Sequence, residues 1–125
     1  MRAALLFLGL ALIGAASASA QQKKGVQVYV MQGCPDCHSI HGVGNTKGAL
    51  DEVGSKLTVQ EIQMWIIHPT AMAARHDSSR KPAMTGKYDG LPRDDLRALT
   101  RYLASQKVTE RQPSEAAPPG SQQAR

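Results

Sequence analysis

The sequence predicts an all-α domain whose loops close around a group that the polypeptide does not itself supply. Three observations point there. Two segments carry helical apolar periodicity with clear start signals. The stretches flanking them are long and glycine-bearing, which is unusual in a small domain unless they serve a function. Large rings are scarce: the chain has 125 residues but one Phe, three Tyr and one Trp. About 90 folded residues so poor in aromatics make a marginal core unaided, so something else fills the middle. A buried macrocycle would do so.

The chain opens MRAALLFLGLALIGAASASA. Arg2 is a charged start, Leu5 to Ala16 is an apolar run, and Ala18-Ser19-Ala20 is an A-x-A cleavage site, so residues 1–20 read as a secretory signal peptide. The run is shorter than the roughly 20 apolar residues a membrane span needs. An uncleaved anchor is the alternative. No later run is apolar for long enough to cross a membrane, so none is expected once the signal is removed. The expected destination lies outside the cytoplasm, most simply a bacterial periplasm. The expected domain is 21–111. Residues 112–125, QPSEAAPPGSQQAR, have no periodicity and read as a disordered tail. The net charge of +5 is mildly basic. No basic stripe with interleaved aromatics is present, which excludes a nucleic-acid footprint.

Val26, Val28 and Val30 alternate like a strand, yet Val26, Tyr29, Val30 and Gly33 share one face of a helix. Local pattern leaves both open. HGVGNTKGALDEVGSKL holds four glycines and reads as loop. In TVQEIQMWIIHP, Thr58 and Glu61 make a capping-box pattern, Ile62, Trp65 and Ile66 an apolar stripe, and Pro69 an end to the helix. PTAMAARHDSSRKPAMTGKYDG reads as a second long loop. LPRDDLRALTRYLASQK is an amphipathic helix. Pro92 suits its first position, Asp94 and Asp95 its first turn, and Lys107 its end, while Leu96, Leu99, Tyr102 and Leu103 form one face.

Both cysteines fall in CPDCH, residues 34–38. C-x-x-C-H is the attachment signature of a c-type haem. Cysteines three apart on a turn reach two vinyl groups and form thioethers, and the following His38 projects towards the iron. A redox-active dithiol at Cys34 and Cys37 is the rival. It needs a long helix after the second cysteine, and Gly42 and Gly44 arrive too soon. A zinc site is weaker, since His38, His41, His68 and His76 lack the usual ligand spacing. A haem iron takes a second axial ligand unless it binds gas or substrate. Met31 is too near the attachment site, and Met64 and Met72 read as packing or surface. Met84 sits in a loop that lets its sulfur approach from the side opposite His38; His76 and His68 are the other choices.

These segments together resemble the class I cytochromes c over roughly residues 25–107. CPDCH matches the haem site. HGVGNTKGALDEVGSKLT resembles the family's loop GxGxxxGPxLxGVGxRL. QMWIIHP resembles LxxWIxxP, and KPAMTGKYDGLPRDDLRALTRYLAS resembles MPxYxxLxxxDLxALxxYL. The resemblance implies a cytochrome c fold, with three main helices and long loops around one covalently bound haem c. It implies thioethers at Cys34 and Cys37, His38 and Met84 as axial ligands, and Trp65 beside the haem, hydrogen-bonded to a propionate. Tyr29 and Tyr102 would lie where the first and last helices cross, and the opening stretch becomes helix. The implied function is one-electron transfer between redox protein partners, without substrate chemistry. Two positions depart from the pattern. Gly48 or Ala49 stands where the family has the proline whose carbonyl accepts from the proximal histidine, and Met84 is followed by Thr85 rather than proline. Arg75, Arg80, Lys81 and Lys87, with Asp77 and Asp89 among them, surround the Met84 loop and suggest a basic rim for acidic partners. The rivals are a thiol-disulfide oxidoreductase, a haem subunit of a periplasmic oxidoreductase complex, and a gas-binding haem with an open site.

Overall fold

The computed structural model describes residues 13–78 and 84–108. Residues 1–12, the domain edge at 109–111, the tail expected at 112–125, and Arg80 and Lys81 lie outside the described residues. Five α-helices are found among those described: α1 (Ile13–Met31), α2 (Val53–Lys56), α3 (Val59–Ile67), α4 (Pro69–Arg75) and α5 (Arg93–Ala104). Two-residue strands β1 (Ser39–Ile40) and β2 (Val43–Gly44) pair antiparallel, Ser39 opposite Gly44. No described helix is long and apolar enough to cross a membrane.

The opening stretch is helix, and α1 packs across α5. Of the residues that share one face in the sequence, Tyr29 is buried at the crossing while Val26 and Val30 are exposed. Val30 is 60% and Met31 81% exposed, whereas Gly25, Val28 and Tyr29 face α5. Gly25 explains this face. A Cβ there would lie 2.4 Å from Tyr102 Cβ and 2.5 Å from the Ala98 carbonyl oxygen. Only a residue without a side chain lets the two backbones come this close. Beside the crossing, the rings of Tyr29 and Tyr102 meet edge to face with centroids 5.8 Å apart. Lys24 Nζ pairs with Asp95 at 2.8 Å, a half-exposed link worth at most about 1 kcal/mol.

α5 follows its sequence pattern, burying Leu99 and Leu103 together with Ala98 and Thr100. Thr100 satisfies its hydroxyl on the Leu96 carbonyl. Pro92 is the residue before the helix rather than its first, and the helix ends at Ala104, short of Lys107. Both expected loops hold more structure than the glycine count suggested. The first contains β2, which pairs with β1 just before it, a 3₁₀ turn at Thr46–Gly48, and α2. The second begins with α4: Pro69 ends α3 as expected, with His68 outside the helical region before it, and also starts a further helix. Proline is suited to a first turn, where its missing N–H has no intrahelical partner, and the alanine-rich residues after it propagate the helix. Met72 is buried there, as packing.

α3 starts on a full capping box. Glu61 N–H donates to Thr58 Oγ1 at 3.2 Å, and Thr58 N–H donates to Glu61 Oε2 at 2.8 Å. These hydrogen bonds hold the Glu61 carboxyl below its usual value. Replacing Thr58 with Ala removes one half of the box. The expected loss is about 1 kcal/mol, read as a lower denaturant midpoint with unchanged slope.

Candidate functional site

An apolar cavity of ≈ 480 Å³ lies between α1, α3 and α5. Tyr29, Trp65, Ile66, Leu99 and Leu103 supply walls, so each of these helices contributes its buried face. The volume falls in the range usual for a cofactor pocket, about 300–1,000 Å³. Cys34, Cys37, His38 and Met84 all open onto it. The structure thus brings together every residue singled out from the sequence for haem chemistry. Among the other ligand candidates, Met64, Met72, His41, His68 and His76 do not line it.

The attachment turn forms because α1 ends one turn earlier. Gly33 takes a positive φ of 69°, and Cys34–Asp36 follow as a 3₁₀ turn. The Cys37 and His38 N–H groups both donate to the Cys34 carbonyl, at 3.2 and 2.9 Å. Cys34 is half-buried, Cys37 exposed, and the two form no disulfide. Burial pushes the Cys34 thiol up, with Lys87 opposing the shift. A reactive dithiol needs the opposite: a lowered thiol at the start of a long helix. Here only the turn and the β1–β2 pair follow, which removes support for the oxidoreductase alternative.

His38 Nδ1 lies 2.9 Å from the Gly48 carbonyl oxygen. A carbonyl only accepts, so Nδ1 carries the proton and Nε2 is left with its lone pair free to ligate. The sequence left Gly48 and Ala49 as equal choices for this role, and the structure selects Gly48. A Cβ on Gly48 would sit 2.2 Å from the Cys37 carbonyl oxygen, so the loop reaches the imidazole only because the residue there is glycine.

Trp65 stacks on His76 at the rim, centroids 5.8 Å apart and planes 27° apart. The pair borders a second recess that also touches Asp51, Glu52 and Lys56. Tyr29 Oη is buried with no hydrogen-bond partner among the described residues. Burial, reinforced by negative neighbours beginning with Cys34, pushes Tyr29 up to about 12. Tyr88, missed as a site residue from sequence, lines the cavity and donates to the Gln32 carbonyl at 3.3 Å. Its only sequence signal is the tyrosine in the stretch resembling MPxY.

An apolar chamber with two thiols at its edge, a tautomer-fixed imidazole and a thioether fits a haem, and this donor set suits its iron. The cytochrome c family model matches residues 22–107. The chain belongs to the cytochrome c family. This cytochrome c has the mostly helical fold of the family, and its CPDCH motif carries one covalently bound haem c. The family's activity is haem-based electron transfer. No curated protein and no solved structure matches the chain.

Proposed function

We propose that this cytochrome c is an exported, periplasmic one-electron carrier, with thioethers at Cys34 and Cys37 and axial ligation by His38 and Met84. One observation carries the reading: His38, its Nδ1 held by the Gly48 carbonyl, and Met84 line the same apolar cavity as the two cysteines. The haem supplies an iron that gains or loses a single electron. The chain's part is to bind, orient and dry that centre. The Gly48 carbonyl fixes the His38 ring and raises its basicity. Met84 offers a soft sulfur, which favours the reduced metal. Ile66, Leu99 and Leu103 keep water out, which limits reorganisation on electron transfer. Trp65, at the rim, is placed to meet a propionate.

Export rests on the sequence of residues 1–20. α1 runs across the expected cleavage point after Ala20, but residues 17–20 are exposed and its buried face begins at Gly25. Cleavage would therefore trim α1 without touching the packed face. Redox proteins are the partners, and the basic residues Arg75 and Lys87 near the Met84 loop favour acidic ones.

Replacing Met84 with Ala is expected to abolish the sulfur-to-iron charge-transfer band of the oxidised protein and to open the site to carbon monoxide when reduced. Persistence of the band would assign the ligand elsewhere.

A further inference from the structure

The segment that follows Met84 is held at two points. Lys87 N–H donates to the Met84 carbonyl at 3.1 Å, closing a turn that puts Tyr88 immediately after it. Tyr88 is 6% exposed, and its hydroxyl crosses to the attachment side of the cavity. There it donates to the Gln32 carbonyl at 3.3 Å. The Lys87 ammonium covers the same ring at 5.6 Å from its centroid. The second point is outside. Thr85 and Thr70 share a hydroxyl–hydroxyl hydrogen bond of 3.0 Å, tying the residue after Met84 to the first turn of α4. That bond is exposed and competes with water, whereas the Tyr88 bond is shielded and counts for more.

We propose that Tyr88 is the positioning residue that holds the Met84 segment against the CPDCH turn, and so sets how readily Met84 yields its place to a competing ligand. The proposal rests on Met84 being the distal ligand. The turn at Met84–Lys87 transmits the anchor: with Tyr88 fixed to Gln32, the backbone carrying Met84 can withdraw from the cavity only if that turn or the anchor breaks. An external ligand binds the iron only when the sulfur has left, so its apparent affinity is scaled by the open fraction. Losing one net hydrogen bond raises that fraction about five- to tenfold.

The test is an imidazole titration of the oxidised holoprotein, followed by the sulfur-to-iron charge-transfer band. Wild type is compared with Tyr88→Phe, Met84→Ala and Thr58→Ala. The last weakens the fold at a cap on α3, away from Met84. Tyr88→Phe keeps the ring and loses only the hydroxyl. It is expected to bind imidazole about five- to tenfold more tightly than wild type, while Thr58→Ala binds it as wild type does. If Tyr88→Phe does not assemble, Thr70→Val, which cuts the outer tie, is read the same way with an expected gain of about two- to threefold. Unchanged imidazole affinity in Tyr88→Phe, or an equal gain in Thr58→Ala, overturns the proposal while leaving Met84 as ligand. A band that survives Met84→Ala instead removes Met84, and with it the role given to Tyr88.

Discussion

The double variant Cys34→Ser, Cys37→Ser is expected to be recovered as bare polypeptide without native tertiary structure. Without its sulfur atoms the turn cannot form thioethers, and the cavity loses its permanent occupant. An apolar void of ≈ 480 Å³ is severe for a domain of this size. At about 24 cal/mol per Å³, a sealed cavity of that volume costs on the order of 10 kcal/mol, and a partly open one several. The whole stability of a small domain is about 5–15 kcal/mol. α3 and α5 turn apolar residues to this space and α1 its Tyr29, so once it empties the direct α1–α5 crossing is the main contact left to hold the helices. Mass spectrometry of the exported variant should give the polypeptide mass alone, and its amide NMR signals should be poorly dispersed. A well-dispersed spectrum of the haem-free chain would show that the polypeptide core suffices.

Gly25→Leu is expected to be among the most damaging single changes away from the haem site. Its Cβ alone meets the Ala98 carbonyl oxygen at 2.5 Å and Tyr102 Cβ at 2.4 Å, and neither backbone can retreat without separating α1 from α5. Overpacking of this kind costs about 1–3 kcal/mol, occasionally more, and the gain in helix propensity over glycine returns only about 0.7–1 kcal/mol. The melting temperature should fall by about 4–8 °C for each kcal/mol lost. Gly90→Ala is the comparison, since a Cβ there meets nothing within 4 Å. It should change stability by no more than about 0.5 kcal/mol. Equal effects of the two substitutions would mean that the α1–α5 crossing is looser than its geometry indicates.

The chemistry of this chain was easier to read than its packing. CPDCH is legible because thioether formation and ligation by the next residue tolerate only one spacing. α3 and α5 are legible because caps and apolar periodicity agree in both. The buried face of α1 is not legible in the sequence because its centre is Gly25, which contributes no hydrophobicity and acts by letting backbones approach. Val30 and Met31 carry hydrophobicity but face outward. α4 was taken for loop because one proline can end a helix or begin one, and His68 serves as the last boundary of α3 and the first of α4. The β1–β2 pair is too short for any alternation to register. Gly48 could be separated from Ala49 only by the distance to the imidazole. Tyr88 became visible as a site residue only when the fold brought Gln32 beside it across 56 positions of sequence.

The partner of α1 is the last helix of the domain, and this fixes an order of events. A polypeptide made from its amino end presents the CPDCH turn well before α5 exists. Until then nothing from α5 covers Tyr29 and Gly25. Closure of α5 over α1 joins the two ends of the domain, so the crossing at Gly25 forms only once both are present.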